Sequence, residues 1–527
     1  MKMEIIRGTA RTILEYDNPV LLSTVFAQHG VGVEMPCGGR QRCLKCRVKA
    51  FGALSPLSER ERELLTPEEI AAGIRFACMT EMRGDVRVEL PDTGASDRIV
   101  TAGQMPDFPF VPWEKGLGAA VDIGTTTVAL YLYDLENGRL LDTGSERNPQ
   151  AVFGADVISR MEKAMAGEAD ALAVSIRNCI ARMLTEACDR TEADVQRVNA
   201  MVLTGNTVML YLLCRQHPAS IAAAPFIQDR YFGEFLTAAD LNLPLHKNAQ
   251  IYLPRCMSAY VGADITTALM AASFDQKLAD PGHEPELLVD IGTNGEMALA
   301  AGGKMLCCST AAGPAFEGAG IYQGMNAKEG AVSRGFLENG KIRCSVIGGV
   351  EAKGICGSGI VDAVAVMVKA GILDETGIIN EEDHAFEGDI TEVEEQPAFR
   401  LPGTQVVITQ KDIRAVQLAK SAVCSGMLTL IEEAGMQPKD VKRLTIAGGF
   451  GAFIDVQSAQ TIGLIPPGFA AKAVAVGNAA GTGASMVLLS EEVRRSSEKL
   501  AKRAETVELS SSPRFMDYYV ENMLFTN

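Results

Sequence analysis

Apolar and polar positions alternate at the start of the chain, and EIIRG and ARTILEY read as a pair of strands. NPVLLSTVFAQHG shifts to helical spacing and is stopped by Gly30. CRVKA returns to a strand, and DVRVEL alternates as a closing strand. Between them, Ser58 with Glu61, and Thr66 with Pro67 and Glu69, are capping-box starts for two short helices. From residue 117 the pattern becomes α/β: AAVDIGTTTVALYLYDL reads strand, tight turn, strand. LLVDIGTNGEMALAAGG repeats that design 168 residues later, counted from Asp122 to Asp290. Such a repeat predicts two similar lobes. A third glycine turn, LTIAGGFGAFID, follows near residue 449. TGNTVMLYLL, YVGADITTALMAA, EAKGICGSGIVDAVAVM and VGNAAGTGASMVLL each read as a strand end or loop entering a helix.

The spacing divides the chain into residues 1–92, a linker at 93–116 with Pro106, Pro109 and Pro112, a first lobe at 117–285 and a second at 286–527. With 527 residues, more than one core is required. The net charge of −17 lies wholly outside residues 1–92, where 13 Lys/Arg balance 13 Asp/Glu. That charge argues against nucleic acid or an anionic membrane as the main partner. No apolar stretch follows the first residues, so no signal peptide is expected. The most apolar segment, GIVDAVAVMVKAGIL, is too short to span a bilayer and reads as a buried helix. The expected location is the cytoplasm. Trp113, the single tryptophan, reads as an anchor for the linker, with a role in electron transfer as the other reading.

Thirteen cysteines, an odd number scattered over a large chain, do not form a disulfide framework. Four of them stand apart: Cys37, Cys43 and Cys46 share the loop CGGRQRCLKC, and Cys78 follows with 31 residues between. Thiolates placed three-then-one can hold a [2Fe–2S] cluster. Gly38 and Gly39 would let backbone N–H groups point at the sulfurs. A zinc ribbon would want two CxxC pairs, whereas only Cys43–Cys46 is present. Four unrelated buried thiols is the remaining alternative. Arg40, Arg42, Lys45, Arg47 and Lys49 surround the loop, either as a solvated rim or as a docking face for an acidic electron partner.

Asp122 and Asp290 each end an apolar strand and precede Gly-Thr. Gly124 and Gly292 allow tight turns whose backbone N–H groups, with the hydroxyls of Thr125, Thr126 and Thr293 and the Asn294 amide, can cradle phosphate. Either aspartate is a natural ligand for Mg²⁺, directly or through water. Gly448, Gly449 and Phe450 could border adenosine where larger side chains would block it. Asn206 and Glu317 are cleft candidates or turn formers; Lys353 and Cys356 are weaker ones, and their KGICGSG segment also reads as a glycine-rich helix start. No Walker A lysine motif is present.

The spacing C-x5-C-x2-C resembles ferredoxins of the adrenodoxin branch, which implies a β-grasp fold for residues 1–92. DIGTTT, DIGTNGE and AGGFG, in that order, resemble the phosphate and adenosine motifs of the ASKHA superfamily of sugar kinases, chaperones and actin. That likeness implies that Asp122 and Asp290 bind Mg²⁺ or position water, that Thr125, Thr126, Thr293 and Asn294 contact the ATP phosphates, and that Gly448, Gly449 and Phe450 line the adenosine pocket. The fold class expected is thus a multidomain α+β and α/β chain: β-grasp ferredoxin, linker, two-lobed ASKHA ATPase.

The fusion as a whole resembles the reductive activators of corrinoid proteins. The family implies that an electron from the [2Fe–2S] cluster reduces inactive Co(II) corrinoid to Co(I), driven by ATP, in anaerobic methyl transfer. It also implies an upstream low-potential electron donor and a homodimer. Each ~59 mV of uphill one-electron transfer costs a factor of ten in the equilibrium, which is why a donor near about −400 mV needs ATP. No D-x-H-x-x-G motif occurs, so the corrinoid must arrive on a separate protein. The short segment before the first DIGT implies a middle domain reduced or folded into the first lobe. Activation of a 2-hydroxyacyl-CoA dehydratase, a non-enzymatic redox-sensing actin-like protein, and a redox-regulated small-molecule kinase are the competing readings.

Overall fold

A computed structural model describes every residue except 8, 9, 18, 34, 36–38, 40, 42, 43, 91–104, 281, 381–388, 450, 526 and 527. The chain forms two compact units. One comprises Met1–Thr101, Phe110–Pro254 and Val487–Glu491; the other comprises Ala102–Pro109, Arg255–Met486 and Glu492–Asn527.

The first unit opens with β1 (Lys2–Arg7), β2 (Ala10–Glu15), β3 (Val20–Leu21), β4 (Arg47–Leu54), β5 (Ile74–Phe76) and β6 (Glu81–Leu90). Their order is β2-β1-β6-β4-β5, with β3 on β6. β1 and β6 run parallel, and the other pairs are antiparallel. Helix α1 (Leu22–Gln28) buries Leu22, Val25 and Phe26 in this sheet's core. The helical spacing predicted an earlier start; Val20 and Leu21 instead pair with Met82 and Glu81, because an open strand edge satisfies their backbone groups. Gly30 ends the helix in the left-handed region at φ 68°. Both predicted capping boxes form, on α2 (Glu59–Leu64) and α3 (Pro67–Ala71). Glu61 of the first box is fully buried and is also bound by Arg75, Thr80 and the Phe76 amide.

The same unit then builds a sheet from β7 (Leu117–Ile123), β8 (Thr127–Asp134), β9 (Arg139–Arg147), β10 (Val198–Gly205), β11 (Glu234–Thr237) and β12 (Gln250–Leu253). The order is β11-β12-β10-β7-β8-β9. α4 (Val157–Lys163), α5 (Ala169–Arg190) and α6 (Thr207–Leu213) accompany it. Trp113 anchors the described end of the linker: its indole N–H donates to the Val487 carbonyl at 3.0 Å, and its ring stacks edge-on with Phe235.

The second unit centres on β13 (Glu286–Ile291), β14 (Gly295–Ala301) and β15 (Lys304–Thr310). Two three-stranded sheets follow, from β16 (Ala331–Glu338), β17 (Lys341–Val346) and β18 (Gly354–Ile355), and from β19 (Ile390–Val393), β20 (Gln396–Arg400) and β21 (Val407–Thr409). β22 (Arg443–Ala447), β23 (Ala473–Gly477) and β24 (Ala504–Thr506) complete the central sheet in the order β23-β22-β13-β14-β15-β24. Gly357–Lys369 is the buried helix that the apolar run predicted; it packs in one core with the helix Gln410–Glu433.

The predicted repeat is visible in the strand order. In each unit three antiparallel strands lead and two parallel strands add beside the first: β9-β8-β7-β10-β12 and β15-β14-β13-β22-β23. Asp122 pairs with Thr204 and Asp290 with Ala447, the same position in the two sheets. Among the described residues, no helix is long and apolar enough to cross a membrane.

Candidate functional site

The candidate residues fall into three sets. The first is the sulfur site. Cys46 and Cys78 are buried, unbridged, and have their sulfurs 3.3 Å apart. β4 begins beside Cys46, and Ala77 N–H donates to the Cys46 carbonyl, so the strand pair β4–β5 brings the two thiols together. Gly39, Gln41 and Leu44 in the loop adopt φ of 76°, 57° and 56°. Left-handed residues at Gln41 and Leu44 are uncommon for side-chain-bearing positions. Cys37 and Cys43 lie outside the described residues, as do Arg40 and Arg42. Of the basic cluster, Arg47 pairs with Glu69 at 2.7 Å and lies over the Phe76 ring; this local pairing takes it out of a free docking face. The other nine cysteines are mostly buried, as small apolar groups would be.

The second set is the turn Gly124–Thr126, at the end of β7. A Cβ on Gly124 would lie 2.6 Å from the Thr127 carbonyl, so only glycine closes the turn. Three side chains grip it from behind. Asn206, the N-cap of α6, donates from Nδ2 to Thr125 Oγ1 at 3.1 Å, while its Oδ1 accepts from Met209 N–H. The turn-forming reading of Asn206 thus holds, and its amide also reaches Thr125. Asn148 donates from Nδ2 to the Gly124 carbonyl at 2.8 Å, and its backbone N–H donates to the Thr126 carbonyl at 2.8 Å. Arg160, fully buried, donates from Nη2 to the Thr125 carbonyl at 2.7 Å and from Nε to the Gly154 carbonyl at 3.0 Å. Asp122 is half-buried at the strand end beside this turn.

The third set is the turn Gly292–Asn294 after β13. Gly292 N–H donates to the Asn294 carbonyl, and Gly313 N–H staples the Thr293 carbonyl at 2.8 Å. Thr293 Oγ1 donates to Glu317 Oε1 at 2.9 Å. Glu317 Oε2 is buried without a hydrogen-bond partner. Pro314–Glu317 forms a 3-10 turn between Gly313 and Gly318, both left-handed, which sets the carboxylate against Gly292. Gly448, at φ 96°, sits where a Cβ would come within 2.7 Å of Asp290 Oδ1. The demand for glycine there is thus met by the neighbouring strand end. Gly449 follows, half-buried, and Phe450 lies outside the described residues. Cys356 is the N-cap of the helix Gly357–Lys369, the glycine-rich helix start that its segment predicted.

Sequence reasoning missed Asn148 and Arg160. Asn148-Pro149 carries the local mark of a helix start, and Asn148 does cap a 3-10 turn. Nothing local marks its reach back to Gly124. Arg160 sits in VISRMEK, where a charged residue reads as solvated.

A duplicated α/β sheet with an Asp-Ile-Gly-Thr turn at matching strand ends marks a mixed α/β protein, and its C-terminal domain is of the ASKHA type. Residues 284–527 match the family described as the C-terminal domain of RACo, the ASKHA domain, and residues 117–277 match the RACo middle region. The chain is 36% identical over 443 residues to the corrinoid activation enzyme RamQ of Eubacterium limosum, covering 81% of this chain and 74% of that one. It is 27% identical over 437 residues to a [Co(II) methylated amine-specific corrinoid protein] reductase of Methanosarcina barkeri, covering 76% of each. A solved reductive activator for corrinoid, iron–sulfur protein superposes with TM-score 0.72 at 26% identity, covering 99% of this chain and 98% of that one. The chain belongs to the family of reductive activators of corrinoid proteins, and it is an enzyme.

Proposed function

We propose that this chain uses ATP to drive one-electron reduction of the Co(II) corrinoid carried by a separate protein. The observation that carries the reading is the pair of buried sulfurs of Cys46 and Cys78, 3.3 Å apart, in a chain of this family. Residues 1–92 act as a β-grasp ferredoxin-like domain; the parallel β1–β6 pair at the centre of a mixed sheet supports this. Cys37, Cys43, Cys46 and Cys78 would hold a [2Fe–2S] cluster. Bound there, the cluster supplies one electron at a time. Cys46 and Cys78 are near enough to serve the same iron, and the left-handed positions around them can turn backbone N–H groups toward sulfur.

Residues 117–285 and 286–527 act as two ASKHA lobes, a reading supported by their common strand order. The backbone N–H groups of Gly124–Thr126 and Gly292–Asn294 hold ATP phosphates, with the Thr125, Thr126 and Thr293 hydroxyls. Gly448, Gly449 and Phe450 border the adenosine. Asp122 and Asp290 hold Mg²⁺ or orient water. Glu317 adds a carboxylate oxygen that Thr293 leaves free, suited to orient the attacking water or the cation.

The test mixes the anaerobically purified protein, a chemical reductant and a Co(II) methyltransferase corrinoid subunit, and follows Co(II) loss optically. Loss that requires ATP is expected. Equal loss with ATP omitted, or an iron-free protein under anoxia, sinks the reading.

A further inference from the structure

Resting on the reading of Gly124–Thr126 as a nucleotide-binding turn, we infer that Asn148 is a positioning residue coupling that turn to the N-terminal sheet and its sulfur loop. Asn148 is fully buried and grips the carbonyls on both sides of Thr125. Its Oδ1 accepts from Gln150 N–H at 2.9 Å, which leaves the 3-10 turn Pro149–Val152 little freedom to absorb a shift. Ala151 and Val152 of that turn pack against the N-terminal core cluster, which contains Cys46 and Cys78. A Cβ on Gly39, inside the sulfur loop, would lie 3.5 Å from the Val152 carbonyl. One short turn therefore separates the two chemistries.

A second route runs alongside. Gln150 Nε2 donates to the Leu172 carbonyl of α5. From the same helix, Asn178 donates to the Gln28 carbonyl at 2.6 Å. Arg182 donates to the Gly30 carbonyl at 2.8 Å while pairing with Glu146. Here backbone meets backbone: a Cβ on Gly30 would lie 2.2 Å from the Cys179 nitrogen, and one on Gly32 would lie 2.1 Å from the Arg147 carbonyl. No flexible side chain cushions these contacts, so displacement passes on. Coupling between two sites is reciprocal: if reduction of the sulfur site changes nucleotide affinity, nucleotide changes the site's reduction potential by the same factor.

The experiment uses the full-length, cluster-loaded protein and a non-hydrolysable ATP analogue. Its dissociation constant is measured on oxidised and on dithionite-reduced protein, with amide exchange followed over residues 28–50. In the native chain the two constants should differ about fivefold, the lower end of usual coupling. At ~59 mV per decade, that equals a shift of about 41 mV in potential. Asn148→Ala should bring the two constants together. Val152→Ala, which keeps every hydrogen bond to Gly124–Thr126 but removes the side-chain packing of Val152 on the N-terminal core, should do the same without changing affinity for the oxidised protein, and should abolish nucleotide protection of residues 28–50. Equal constants in the native chain, or an undiminished difference in both variants, overturn the inference while leaving nucleotide binding itself supported. No binding by the native chain overturns the inference together with the reading beneath it.

Discussion

The turns Gly124–Thr126 and Gly292–Asn294 sit at the same point of two sheets with the same strand order, yet they are held by opposite means. The first is gripped from behind by donors, Asn148, Arg160 and Asn206, which take up two carbonyls and a hydroxyl. The second is stapled by backbone, and its threonine hydroxyl is turned to a carboxylate, Glu317. Donors that occupy the turn's carbonyls suit the proposed role of its N–H groups as a cradle for anions. A carboxylate at the other turn brings an acceptor, which suits water or a cation. On the proposed reading one turn binds and the other works, and the division lies in side chains contributed from outside each turn.

The comparison can be tested by breaking each side. Substituting Asp122 or Asp290 by Asn should lower ATP turnover on the order of 100-fold or more, as expected when charge stabilisation worth several kcal/mol is lost. The visible spectrum of the cluster should stay intact; turnover that persists in both variants removes the phosphate role from the two turns alike. Glu317→Gln separates them. It preserves shape and an acceptor for Thr293, and should reduce turnover about 100-fold with little change in nucleotide affinity. An affinity loss with turnover retained would make Glu317 a binding group like those of the first turn.

Arg160→Met tests the donor side. Removing charged hydrogen bonds to buried carbonyls should cost about 2–3 kcal/mol of stability, read by denaturant unfolding, and should raise the KM for ATP more than it lowers kcat. A change confined to kcat would contradict the assignment of the first turn to binding.

A smaller effect lies outside both turns. Burial opposes ionisation of Glu61, but donors from Arg75, Ser58 and the Phe76 amide overcome it and hold its pKa below the ordinary 4.5. The folded state therefore binds the proton less readily than the unfolded one. Its stabilising contribution is complete above the ordinary glutamate range and is lost as pH falls through the lowered value. Circular dichroism of Glu61→Gln against the native chain should show the native acid sensitivity of residues 1–92 blunted. ATP binding at the two turns should be unchanged at neutral pH. Identical acid profiles would deny Glu61 its role.

Much was legible in the order of residues. Strand pairs, both capping boxes, the buried helix at Gly357–Lys369 and the Asp-Ile-Gly-Thr repeat are local patterns, and local patterns are governed by backbone geometry that short sequences encode. So is the demand for glycine at Gly124, where the turn itself excludes a side chain. Gly448 is different in part: besides its φ of 96°, the room for a Cβ is taken by Asp290 Oδ1 and the Ile291 carbonyl, and Asp290 lies 158 residues away in sequence. Asn206 was legible as a turn former and Glu317 as a cleft candidate, but their partners, Thr125 and Thr293, were not.

By itself, then, the chain's sequence determined which residues are present for chemistry: four thiols in a spacing fit for a cluster, two Asp-Ile-Gly-Thr turns, and a repeated α/β frame. Tertiary structure alone decided how they are joined. It buried Arg160 behind one turn, set Glu317 against the other, and placed the Asn148–Val152 segment between the first turn and the sulfur loop. The physical reason is range. Hydrogen-bond spacing and steric exclusion act over a few residues and leave a mark in sequence, whereas burial and long-range pairing depend on which surfaces the fold brings together.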